Sequence, residues 1–258
     1  MSDRAVTEVI SYVLVFGLIV SAVGIISVSG LSTLQDVRDD EQVANAERAF
    51  DILSNNIQDI YRRGAPSRAT EISLGQAELS TGANTTMRVE VDETDDGTYN
   101  ADDTFERNIR PIVYSGADDR ELVYEAGAIF RRNPNGAVTV QEPPFLIDED
   151  RIHMPILGLN RPQVQSLGGS TVLVRTNLRQ RTVEYEDTGD TVEEVRVQIL
   201  ESNNEDRWVD YLESEGFTDC QSVTVGGDDG IQCDFTPSSS TIDFVYIVDY
   251  DIRVNIDP

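Results

Sequence analysis

From residue 9 to residue 34 the chain reads VISYVLVFGLIVSAVGIISVSGLSTL, 26 residues without one charged side chain. At 1.5 Å rise per residue this run exceeds the roughly 20 residues that cover a hydrocarbon core. It predicts a transmembrane helix over 6–34. A secretory signal peptide would carry a shorter apolar region and a small-residue cleavage site after it, whereas here the helical pattern continues. Ala46, Phe50, Leu53, Ile57 and Ile60 recur at spacings of four and three with polar residues between them, which predicts an amphipathic extension over 35–63. Arg62-Arg63-Gly64-Ala65-Pro66 supplies a stop: basic last turn, glycine, then proline.

Past residue 69 the period changes to two. Strands are expected at 70–74, 87–91, 110–114, 121–125, 137–141, 171–176, 182–185, 195–200, 222–225 and 243–255. Gly, Asp, Asn and Pro clusters separate them, among them the hairpin signals Asn135-Gly136 and Asp96-Gly97. Between 204 and 215 helical spacing returns briefly, with Trp208, Tyr211 and Leu212 on one side. The expected fold class is therefore α+β: a long N-terminal transmembrane and amphipathic helix packed on a mostly antiparallel β-sheet or β-sandwich with one short helix. The β-rich domain would occupy 66–258. The stripe Ala46 to Ile60 would lie on its inner face, since neither element can leave its apolar side in water.

Charge changes the picture in two ways. Twenty basic residues, every one arginine, face 47 acidic ones, for a net charge of -27. That balance excludes nucleic acid as a partner, because phosphate recognition needs a cationic footprint. A lysine-free, strongly acidic surface fits a proteome adapted to high salt, where a Debye length of about 3 Å screens the self-repulsion. Asp3, Arg4 and Glu8 precede the apolar run, Arg4 being the positive charge on the short flank, and Asp36, Arg38, Asp39, Asp40 and Glu41 follow it. The expected orientation places the amino terminus in the cytoplasm and the carboxy-terminal domain outside.

Candidate chemistry is sparse. Cys220 and Cys233 flank the turn Gly226-Gly227-Asp228-Asp229-Gly230, a spacing that suits a hairpin closed by a disulfide; two buried thiols are the other reading. Asn84 heads the one N-x-S/T sequon, Asn84-Thr85-Thr86, in a polar loop where a glycan could be carried. Asp92, Asp96 and Asp103 occupy positions one, five and twelve of a calcium-type loop. Thr94 stands at position three, an Asp replaces the bidentate Glu at twelve, and the flanks do not read as helices, so a solvated acidic loop is the plainer reading. His153, the one histidine, sits among apolar residues and reads as a packing or surface residue. No nucleotide, hydrolase or metalloprotease motif is present, and neither an enzyme nor a cofactor is expected.

A charged stub, a small residue, an uninterrupted apolar helix continuing as an amphipathic one, and a β domain at the end: this layout resembles type IV pilins and archaellins. Asp3-Arg4-Ala5-Val6-Thr7-Glu8-Val9-Ile10 is similar to the archaeal type IV pilin amino-terminal motif. The resemblance implies a leader over 1–5, with Arg4, Ala5 and Val6 forming the prepilin-peptidase site and Val6 becoming the new amino terminus. Glu8 would be residue three of the processed chain, where bacterial pilins carry their helix-start acid at residue five. In that family the acid pairs with the amino group of a neighbouring subunit; a first-turn acid complementing the helix dipole is the other reading. From Gly64-Ala65-Pro66-Ser67-Arg68-Ala69-Thr70-Glu71-Ile72-Ser73 onward the chain looks like uncharacterised haloarchaeal pilin-like proteins.

The resemblance implies a single-pass, membrane-anchored surface protein that assembles into a filament as a minor or tip subunit with a role in adhesion. Its partners would be membrane lipid, other pilin subunits through the N-terminal helix, and a prepilin peptidase. The alternative is an unprocessed, membrane-anchored extracellular binding or receptor domain.

Overall fold

The computed structural model describes residues 3–93, 99, 103–160, 166–169, 171–189, 191–238 and 240–258, without the side chains of 3–10, 28, 30–32, 35, 36 and 118. Asp3–Arg63 forms one unbroken helix, α1. By contacts the chain divides into two units, Met1–Ala44 and Asn45–Pro258.

In the first unit the stretch 11–27 of α1 carries no charged side chain. Eleven large side chains between Tyr12 and Ile26 are more than half exposed, Leu18 at 71% among them. The transmembrane expectation nonetheless requires correction: among the described residues, no helix is long and apolar enough to cross a membrane. The single-pass anchor, and the cytoplasmic and extracellular sides drawn from its flanking charges, are withdrawn with it.

The second unit is β-dominated, and the expected α+β class is corrected accordingly: strand makes up 52% of the chain and helix 27%, with the described strands in three sheets. The first sheet runs in the order β1 (Ser67–Ser73), β12 (Thr171–Asp187), β16 (Phe244–Asp257), β10 (Arg151–Asn160), β9 (Leu146–Asp148). The second runs β11 (Ser166–Gly168), β2 (Glu78–Thr81), β5 (Ile112–Ser115), β6 (Glu121–Glu125), β7 (Ala128–Asn133), β8 (Gly136–Gln141). The third runs β14 (Thr218–Val225), β15 (Asp228–Phe235), β13 (Glu194–Leu200), β3 (Thr85–Asp92), β4 (Thr104–Ile109). Neighbours pair antiparallel except β10 with β16, which run parallel at the centre of the first sheet. The strands expected at 171–176 and 182–185 are one strand, β12, whose register slips at Leu178/Gln180 and Val183/Tyr185 let it bend and stay paired with β16.

Alternation along β16 sends its two faces to two cores. Val245 and Ile247 join Trp208, Tyr211 and Leu212 of the short helix α2 (Glu205–Ser214) and the inner faces of β3, β13 and β15. Val248, Tyr250, Ile252, Val254 and Ile256 join Ala46, Phe50, Leu53 and Ile57 of α1 and residues of the second sheet. The stripe at spacings of four and three is thus fully covered, Phe50, Leu53, Ile57 and Ile60 all being 0% exposed. Polar contacts flank it: Arg131 pairs with Glu47 at 2.7 Å, Asn56 donates to Thr70 Oγ1 at 2.9 Å and Gln141 to Ser54 Oγ at 2.5 Å. At the end of the helix Gly64 takes φ 68°, a value that favours glycine, and the Ala65 amide bonds back to the Asp59 carbonyl.

Candidate functional site

The first sheet carries a half-covered surface where α1 stops. Odd positions of β10 and even positions of β16 share the face that α1 packs on. Tyr61, near the end of the helix, meets Tyr250 edge-on at 5.6 Å, and Gly64 then turns the chain away. The strands run on. His153 is opposite Tyr246, and Arg151 is opposite Phe244, in the parallel register; Leu146 and Asp148 of β9 face His153 and Arg151 from the other side. These residues, with Phe145, Ile147 and Glu215, line an open cleft of about 620 Å³, within the range of small-molecule sites.

Three aromatic rings line one side of it. Phe244 and Tyr246 lie 5.9 Å apart with planes 29° from parallel, and Tyr246 and His153 lie 5.6 Å apart at 33°. Arg181 donates to the Tyr246 hydroxyl at 2.9 Å, fixing the ring's far edge. Burial pushes the His153 pKa below its ordinary value, and the cations Arg62 and Arg181 add to the effect, so the imidazole is neutral at pH 7. Elsewhere in the lining, burial and then the nearby Glu142 raise the Glu215 carboxyl. Phe145, also in the lining, stacks on Trp208 at 6.3 Å, which ties the cleft to the core.

The residues singled out from the sequence do not converge on this cleft, except His153. Cys220 and Cys233 are joined by a disulfide across the β14–β15 hairpin. Asn84 is exposed just before β3, its side-chain oxygen accepting from Arg110 Nε at 3.1 Å. Asp92 ends β3 almost fully buried and Asp103 precedes β4; Asp96 lies outside the described residues. Among the described residues no group of three or more His, Cys, Asp or Glu could hold a metal ion. Arg4, Ala5, Val6 and Glu8 fall in the first turns of α1, and their side chains lie outside the description.

The cleft residues were missed because they come from separated stretches, 145–153, 215 and 244–246. The spacing of Phe244 and Tyr246 puts them on one strand face, but nothing local pairs that face with His153.

No curated protein and no solved structure matches the chain. A family model matches residues 4–255, nearly the whole length. The chain belongs to a family of unknown function (DUF7289).

Proposed function

We propose that this protein is a pilin-like structural subunit that assembles by packing the apolar half of α1 against the same helix of other copies. The observation that carries the reading is the set of eleven large apolar side chains, from Tyr12 to Ile26, left more than half exposed around the whole helix. A helix apolar all round is a buried helix, and copies of itself supply a cover of matching chemistry. Burying a Val, Leu, Ile or Phe contributes about 1.5–3 kcal/mol. Eleven such residues, already partly shielded by their own helix, represent on the order of 15 kcal/mol of gross driving force per subunit. Gly17 and Gly24 have no neighbour within 4 Å of the Cβ position, and lacking a side chain they let another backbone come close there. On this reading Arg4, Ala5 and Val6 are the processing site, the assembling chain begins at Val6, and the β-rich unit is the part displayed.

The test is light scattering and electron microscopy of the full chain in molar KCl, beside Leu18→Asp and Val23→Asp. Both residues are exposed, so neither change disturbs a packed core. Wild type is expected to form large ordered assemblies and both variants to be dispersed with unchanged circular dichroism. A monomeric wild type would overturn the proposal. So would assemblies that the two variants form equally well, or protein that disperses as monomers on lipid vesicles.

A further inference from the structure

We propose that the strip His153, Tyr246 and Phe244 is a binding platform for a neutral pyranoside, held by stacking on the rings and by hydroxyl contacts to Asp148, Arg151 and Glu215. This goes beyond assembly through α1 and uses a different part of the chain.

Shape comes first. The rings stand in a row on one sheet face, Phe244 against Tyr246 with planes 29° apart and Tyr246 against His153 at 33°, so they give the cleft one continuous aromatic side. An aromatic ring carries a negative face, which attracts the weakly positive C–H groups that a ring sugar presents on one side. A cage for a quaternary cation would instead need rings set steeply around one point. Arg151 in the lining and Arg181 at the Tyr246 hydroxyl oppose such a cation as well.

The polar groups fit the same ligand. Asp148 and Glu215 offer carboxylate acceptors, and Arg151 offers donors, in the same lining as the rings. The neutral His153 imidazole has one donor and one acceptor nitrogen, which suits a hydroxyl that both gives and takes. Two carboxylates against one lining arginine, in a chain of net charge -27, disfavour an anionic sugar. An apolar helix or a second copy laid over the strip would desolvate Asp148, Arg151 and Glu215 without supplying partners. A cleft of about 620 Å³ accommodates one or two sugar rings.

The test is saturation-transfer NMR on the full chain in molar KCl, with four probes: methyl β-glucoside, methyl α-mannoside, methyl β-N-acetylglucosaminide and methyl β-glucuronide. The method works on monomers and large assemblies alike, so its outcome is independent of the assembly proposal. At least one neutral glycoside is expected to be saturated, most strongly at the C–H groups of one ring face, and the glucuronide more weakly. Tyr246→Ala should weaken binding about tenfold, whereas Tyr246→Phe, which keeps the ring, should stay within about threefold. Phe244→Ala serves as the second variant if Tyr246→Ala does not fold. Absence of saturation with all three neutral glycosides, a glucuronide bound more tightly than they are, or affinity unchanged in the alanine variants would each overturn the proposal.

Discussion

Leu53 and Ile52 are neighbours on α1 with opposite fates, and comparing them tests how the helix is bound to the β unit. Leu53 is 0% exposed, packed with Phe50, Ile57 and the β16 face, whereas Ile52 is 53% exposed. Leu53→Ala removes three buried carbons and leaves a cavity that sheet and helix cannot close together, at a cost of about 3–5 kcal/mol. Ile52→Ala loses little apolar burial and gains helix propensity, so its effect should stay within about 0.5 kcal/mol. For a unit of this size the urea dependence is about 3 kcal/mol per molar. The Leu53→Ala midpoint should then fall by about 1–1.7 M while that of Ile52→Ala barely moves. The assay is equilibrium urea unfolding followed by Trp208 fluorescence. KCl must be held at molar concentration to screen the acidic surface, and protein concentration must be constant because assembly adds to apparent stability. Equal midpoints for Leu53→Ala and wild type would mean that this half of α1 lies outside the cooperative core. Equal losses from Leu53→Ala and Ile52→Ala would refute the assigned helix face.

Two further outcomes follow from buried charge and from the covalent link. Asp249 is 5% exposed, and burial raises its pKa from 3.8 to about 6, partly offset by Arg107, whose Nη1 lies 3.3 Å away. A raised folded pKa gives stability that is fully present below 3.8 and lost as pH rises through 6. Asp249→Asn should therefore gain on wild type by on the order of 3 kcal/mol between about pH 4 and pH 7, read from paired urea titrations; a constant difference across that range would refute it. The Cys220–Cys233 bridge spans 13 positions, and constraining such a loop contributes about 3 kcal/mol. Cys220→Ser with Cys233→Ser should lower the urea midpoint by about 1 M, and an unchanged midpoint would show that the hairpin's ladder bonds alone suffice.

Local pattern was enough wherever one element's own periodicity decided the matter. The four-three spacing from Ala46 to Ile60 marked the face of α1 that is buried, and Arg62 to Pro66 marked where it ends. Trp208, Tyr211 and Leu212 marked α2 and its inner side, and the alternation over β3, β6, β13 and β16 placed strands close to where they are found. Each of these signals lies within a single turn or strand, where side-chain direction follows from backbone geometry alone. The uncharged run at 9–34 fixed helix but not its surroundings, and the membrane span drawn from it did not stand.

Only tertiary structure decided the rest. Short strands such as β2, β9 and β11 have three or four residues, too few to show a period, and exist because neighbours need their edges paired. The parallel pairing of β10 with β16 joins stretches some ninety residues apart, and no local rule encodes a register between distant strands. That register places His153 beside Tyr246. The length of α1 relative to the strands beneath it leaves those rings, with Phe244, uncovered. The cleft is thus the difference between two lengths set independently, a helix stopped by Gly64 and a sheet that continues past it.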